Sequence, residues 1–404
     1  MNDSTLPTGW RHVPIGAVCK VVPGFAFKSK DWCDQGIPVV KIKNIKSDRT
    51  IDVAEVDHVP ETIYTPKLKK FLLNDGDILI AMTGATAGKV GRLRTDRPLL
   101  LNQRAARFDP IDVDRRFFWA VVSSEEYERR FFHLADGAAQ PNMSGSQIEG
   151  IDIPLPPPPI QRHIASILSA YDDLIENNTR RIALLEEMAR RLYEEWFVHF
   201  RFPGHEDVKM VESEIGQVPE GWGLQRVKSI VKRLKAGTTY KQDDISDVGE
   251  TIVIDQSTSD QLGFHDNAPD HIAAPDDPII IFGDHTCKMQ IMVSPFSLGP
   301  NTVPFVSADD TSVYYVYLLV DGAVETKEYK RHWTELSGKV VAKSPSGLTI
   351  MLEETVKPMF QETELLLRQN RNLRTQRDLL LPKLVSGEID VSEVGEQMAE
   401  AAAE

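Results

Sequence analysis

Apolar residues recur in steps of four and three along two stretches of this chain, roughly residues 160–200 and 349–385. The first seam runs Tyr171, Ile175, Asn178, Ile182, Leu185, Ala189, Leu192 and Trp196. The second runs Val356, Met359, Thr363, Leu366, Asn370, Leu373, Arg377, Leu380 and Leu384. That period draws one seam along each of two long helices and predicts a coiled coil. Forty helical residues would make a rod of roughly 60 Å. Each seam carries one asparagine: Asn178 and Asn370 either fix register by meeting or face water. Pro358 predicts a kink or the effective start of the second helix.

Elsewhere the pattern breaks into short pieces. Val40 to Lys46 alternates apolar and basic, as a half-buried strand with a basic outer face does. Asn74–Asp77 is a turn signal ahead of a buried strand, Ile78–Ala81, and Thr83–Gly91 is a loop of small residues. Phe118, Val121, Val122 and Tyr127 give Arg115–Phe132 helical spacing. The run Pro154–Pro159 favours a stiff extended spacer before a helix over a docking peptide.

Both β-rich stretches open with Pro-x-Gly-Trp, at Pro7–Trp10 and Pro219–Trp222. At that offset Val18 and Lys20 meet Ile230 and Lys232, and after a one-residue slip Phe27-Lys28 meets Tyr240-Lys241. A repeat of the same element order reads as divergent duplication. The expected layout is α+β with a pseudo-two-fold repeat. A first module spans 1–157, a long helix 158–200, a linker 201–218, a second module 219–345, a distal long helix 346–387 and a flexible tail 388–404.

The 404 residues, 41% of them apolar, suffice for two cores of ordinary size. The longest apolar runs, Pro278–Phe282 and Val313–Val320, are too short to span a membrane, and no secretion signal opens the chain. A cytoplasmic protein is expected. Cys19, Cys33 and Cys287 form neither a disulfide framework nor a CxxC clip. The net charge of −14 argues against indiscriminate coating of nucleic acid. It hides a gradient, with 21 Lys and Arg against 19 Asp and Glu through residue 150, and 12 against 18 over 219–346. Tight binding of DNA would therefore call for a basic partner.

Motifs for chemistry fail on spacing. Gly84–Val90 lacks the four residues between glycines and the hydroxyl residue that a phosphate loop requires. Asp321 with Glu325-Thr326-Lys327 spells the end of a metal-nuclease motif, but Tyr314–Trp333 reads as an amphipathic helix and not as the required strand. No HExxH, Gly-x-Ser-x-Gly or GxGxxG is present. No catalytic, metal or cofactor residues are assigned, and the balance tips to a binding subunit.

Several segments together resemble a known family. Gly24–Asp31, Ile37–Ile45, the Gly76–Leu79 turn with Thr83–Lys89, and Ala139–Ser144 are similar to the first target-recognition domain of type I restriction–modification specificity subunits. In the second half, Phe282–Thr286, Gln376–Leu384 and Ser386–Ile389 carry the likeness. It covers nearly the whole chain. It implies two target-recognition domains alternating with two helices that pair antiparallel, each domain reading one half of a split double-stranded DNA target. It also implies no catalytic centre here. Methyltransferase subunits would bind S-adenosylmethionine, and motor-nuclease subunits would use ATP and magnesium. The second module departs from the pattern, being acidic and having Gly283-Asp284-His285 where a Gly-Lys loop is expected.

On this reading DNA contact in the first module falls to Lys28, Lys30, Lys43, Asn44, Lys89 and Arg104, and in the second to Tyr240, Lys241, His285, Lys288 and Gln290. Asn suits adenine edges, Arg guanine, and lysines hold phosphates. Trp10, Phe25 and Trp222 are expected in the core. Partner docking is expected on outer helix faces bearing Arg180, Arg181, Arg190, Arg191, Arg368, Arg371 and Arg374. Two alternatives stand: a self-contained metal-dependent nuclease or nucleic-acid-modifying enzyme on a duplicated scaffold, and a coiled-coil interaction protein with no DNA role.

Overall fold

The computed structural model describes residues 6–134, 142–257, 261–326 and 330–391. The chain divides into two units, Met1–Ile175 with Asn372–Glu404, and Glu176–Arg371. Both divisions fall inside long helices, Pro158–Tyr193 and Ser346–Ser386.

In the first unit a four-stranded antiparallel sheet has the order Cys19–Pro23, Ala105–Pro110, Ile78–Ala81, Val90–Arg92. A second sheet has the order Asp57–Val59, Ile37–Val40, Leu99–Leu101, Leu72–Leu73, with Ile37–Val40 parallel to Leu99–Leu101. Successive side chains of a strand point to opposite faces. Accordingly Ile78 and Ile80 join a core with Phe108, Phe117, Phe118 and Phe131, while Leu79 and Ala81 join another with Val40, Leu99 and Leu101. The outer face of the second sheet, Val39 and Leu100, is covered by Phe27, Leu68 and a rim of aromatic rings.

In the second unit Val231–Arg233, Thr302–Ser307, Ile279–Gly283 and Met289–Met292 form a sheet in that order. Thr251–Ile254 lies between Gly263–His265, antiparallel, and Phe296–Leu298, parallel. Ile280 and Phe282 enter one core and Ile279 and Ile281 another. Trp222 is buried against Phe197, Phe200 and Phe202.

Within this unit the helices run antiparallel, since Asn178 meets Asn370 while the later Arg181 meets the earlier Glu362. Asn178 Nδ2 donates to Asn370 Oδ1 at 3.0 Å, and Asn370 Nδ2 to Thr179 Oγ1 at 3.3 Å. The two asparagines therefore meet instead of facing water. Leu352, Val356, Thr363 and Leu366 are buried along the same helix.

Local expectations fail where distant partners intervene. Only Ile37–Val40 is strand; Ile42–Asn44 is a 3-10 turn, because the Asn44 side chain accepts from Lys41 N–H and ends the ladder. Arg115–Phe132 is two helices, Arg115–Val122 and Glu125–Leu134, since Ser124 Oγ accepts from Tyr127 N–H and opens the second. The proline run is not a free spacer: Asp152–Leu155 pairs with Arg11–Pro14, and the helix starts at Pro158. A hairpin, Met210–Ser213 with Gly216–Pro219, occupies the expected linker. The second long helix starts at Ser346 and continues through Pro358. Val313–Val320 is a helix buried almost all round and not an amphipathic one reaching Trp333. Of the tail, Ile389 and Val391 pack on the first core, while 392–404 lie outside the described residues.

Candidate nucleic-acid interface

Four segments of the first unit meet around Phe25. Gly24 passes so close to Leu101 and Asn102 that a Cβ there would lie 2.3 Å from the Asn102 carbonyl oxygen, so only glycine fits. Phe25 N–H then donates to Leu101 O, and Gln103 N–H returns to Phe25 O, which fixes beside it a turn from buried Asn102 to exposed Gln103 and Arg104. Asn102 Oδ1 accepts from Arg104 N–H at 3.4 Å and shapes that turn. Phe25 also packs on Phe27 at 4.9 Å and on Phe71 at 5.4 Å, joining segment 66–71 to the cluster. The small-residue loop attaches through Met82 N–H to Arg104 O, and Asn142 bridges to Thr83. The Ala139–Pro141 part of that expected motif lies outside the described residues.

Of the residues expected to touch DNA here, Lys28, Lys30 and Arg104 are exposed. Lys28 stands on a turn whose backbone N–H donates to Asp31 Oδ2 at 2.8 Å. Lys43 is exposed but bridges to Asp57 at 2.8 Å, and this contact, with Lys41 beside it, holds the Asp57 carboxyl below its usual range. Lys89 Nζ donates to Ser47 Oγ at 2.5 Å. Asn44 must be corrected. At 1% exposure its Oδ1 accepts from Lys41 N–H and its Nδ2 donates to Glu55 O, so it braces a turn and cannot reach a base edge.

In the second unit Lys241 repeats the Lys28 turn, its N–H donating to Asp244 Oδ2 at 2.9 Å. Tyr240 is also a correction: it is buried, stacked on His265 with ring centres 3.9 Å apart. It backs an open polar cavity of about 640 Å³ shared with Thr238, Asp244, Asn267 and Asp270. His285, Lys288 and Gln290 sit half-buried in and after the Gly283–Lys288 turn, and the His285 backbone N–H donates to Gln256 Oε1. The buried Gln290 Oε1 has no partner among the described residues. Asp284 replaces the expected lysine for a structural reason: its Oδ1 accepts from Trp333 N–H at 2.8 Å and starts the helix Trp333–Gly338.

The nuclease-like residues do not converge. Asp321 bridges to Arg190 at 3.5 Å, with burial pushing its carboxyl up, and Glu325 is exposed beyond the helix end. Lys327 lies outside the described residues. Among the described residues no three His, Cys, Asp or Glu side chains gather as metal ligands, and no helix is long and apolar enough to cross a membrane.

Residues 7–187 match the family described as type I restriction modification DNA specificity domain. The MjaIX specificity subunit of Methanocaldococcus jannaschii, a type I restriction enzyme component, is 25% identical over 96% of this chain and 95% of its own. Residues 7–187 thus resemble a type I restriction–modification DNA specificity domain, and the likeness to specificity subunits runs along nearly the whole chain. The EcoKI specificity subunit of Escherichia coli is 22% identical over 63% of this chain and 54% of its own. The fold matches a crystal structure of the type I S subunit from M. genitalium at a TM-score of 0.56, with 16% identity, over 95% of this chain and 98% of that one. These likenesses support a non-catalytic, DNA-specificity role within a restriction–modification complex.

Sequence reasoning missed Gln103, Lys67, Lys69 and Lys70, all exposed around the Phe25 cluster. The signal available was the basic run Lys67–Lys70 between prolines and aromatics, but nothing local ties it to Phe25.

Proposed function

We propose that each unit of this specificity subunit reads one half of a bipartite DNA target, and that the long helices pair as an antiparallel coiled coil that sets the half-site spacing. The observation that carries the reading is the twofold occurrence of one topology. Each unit has a four-stranded antiparallel sheet, a second sheet in which one strand lies between an antiparallel and a parallel neighbour, and a closing two-stranded ribbon. The Lys28–Asp31 and Lys241–Asp244 turns repeat down to the same hydrogen bond. Such a match supports a pseudo-two-fold repeat by duplication, with target-recognition domains at 1–157 and 219–345. Two readers on a rigid spacer address one side of a duplex only when the half-sites lie about one helical turn, or a multiple of it, apart.

Methyltransferase subunits, carrying S-adenosylmethionine, dock on the helices, and motor-nuclease subunits bring ATP and magnesium. Support comes from the helix face in the second unit that the β-body leaves open. Arg181 bridges to Glu362 across the pair at 2.6 Å, and Leu184, Met188 and Leu365 stand exposed at three- and four-residue steps from it. Arg190 belongs to the other face, held by Asp321, and is not part of this surface.

The test is an exchange of residues 219–345 for the module of another specificity subunit, followed by mapping of modified bases in genomic DNA. One half-site should change while the other half-site and the spacer stay. A change in both half-sites would refute independent readers. Inserting one heptad between Ile182 and Leu192 should lengthen the permitted spacer alone.

A further inference from the structure

We infer that Lys67, Lys69 and Lys70, with Lys28 and Lys30, form a phosphate clamp that seats the first reader on the duplex backbone; the inference rests on the DNA-reading function proposed above. The five lysines are exposed and belong to two segments, Lys28–Asp31 and Pro66–Phe71, that are both short 3-10 turns. The second turn is pinned by Leu68, 2% exposed beneath it, and by Phe71, over whose ring the Lys70 ammonium stands at 4.8 Å. Phe71 packs on Phe25 and Phe25 on Phe27, the residue next to Lys28, so one aromatic cluster fixes both turns.

Several other basic side chains of this unit are neutralised by carboxylates. Lys41 and Lys43 share Asp57, Lys46 pairs with Asp52, Arg107 with Asp109, Arg115 with Asp77 and Arg49 with Asp378. Lys67, Lys69 and Lys70 have no carboxylate within ion-pair distance among the described residues. A rigid seat that gathers unneutralised ammonium groups suits a polyanion. Lysine ammonium groups are point charges that meet phosphate without a base code. Gln103 and Arg104, on the adjoining turn, carry the forked groups suited to base edges. The structure thus separates holding from reading within one reader.

The test uses the full chain with its methyltransferase subunit, on a duplex bearing the target mapped from genomic modification and on one with that target scrambled. Each neutralised phosphate contributes about 0.9 to the slope of log affinity against log salt. Replacing Lys67, Lys69 and Lys70 together by alanine should lower that slope by about 2–3. Both duplexes should weaken by the same factor, and the mapped target should not change. The triple glutamine variant, which keeps long polar stems, should behave as the alanine one does, and the triple arginine variant should restore the slope. An unchanged slope, or a loss confined to the target duplex while the unsubstituted complex still tells the two apart, would overturn the clamp. If the unsubstituted complex cannot tell them apart, the DNA-reading function itself fails and the clamp with it.

Discussion

The asparagine pair between the helices of the second unit makes a quantitative test of how register is held. Asn178 is 7% exposed and Asn370 2%, and their direct hydrogen bond is 3.0 Å long. Asn178 Nδ2 has a second, weaker acceptor in Gln369 Oε1 at 3.5 Å. Changing Asn370 to leucine strands the buried Asn178 amide, and a buried polar group without its partner costs about 1–3 kcal/mol. Asn178→Leu should cost about as much, since it strands Asn370 in the same way. The double leucine variant removes both amides and lets two apolar side chains meet, which is near neutral or stabilising. The coupling energy should then reach the upper part of the roughly 0.5–3 kcal/mol seen for contacting residues. Two units make a single unfolding free energy ill-defined, so the readout should be hydrogen exchange at residues 176–193 and 346–371. Additive losses in the double variant, or single losses under about 0.5 kcal/mol, would show that this pair does not set the register.

Asn44→Ala should cost about 1–3 kcal/mol by hydrogen exchange at residues 37–59, because two backbone groups lose its amide, and should leave the mapped target unchanged. Gly24→Ala forces a Cβ against the Asn102 backbone and should destabilise the first unit by about 1–3 kcal/mol or more, with weaker DNA binding in a mobility-shift assay. In the second unit the Lys343 hydrogen bond, then that of Thr311, hold the Asp309 carboxyl at about 2. A depressed carboxylate stabilises the fold above its unfolded value of about 3.9 and loses that contribution as pH falls towards 2. Acid unfolding of Lys343→Ala should therefore show a shallower loss across that window; with Asp309 53% exposed, the change should be small.

Features that depend on local spacing were legible in the chain before it folds. The four-and-three seam located both long helices, the apolar run Ile78–Ala81 located a central strand, and the repeated Pro-x-Gly-Trp and Phe/Tyr-Lys turns prompted the duplication proposed above. Tertiary structure decided which polar groups remain available to a ligand. Asn44 looked like a reader until Glu55, eleven residues on, took its amide, and Tyr240 looked accessible until His265 stacked on it. Lys67–Lys70 had no assigned place until Phe71 met Phe25. Periodicity is written in neighbours along the chain, whereas the availability of a side chain depends on hydrogen-bond and packing partners that only folding brings together.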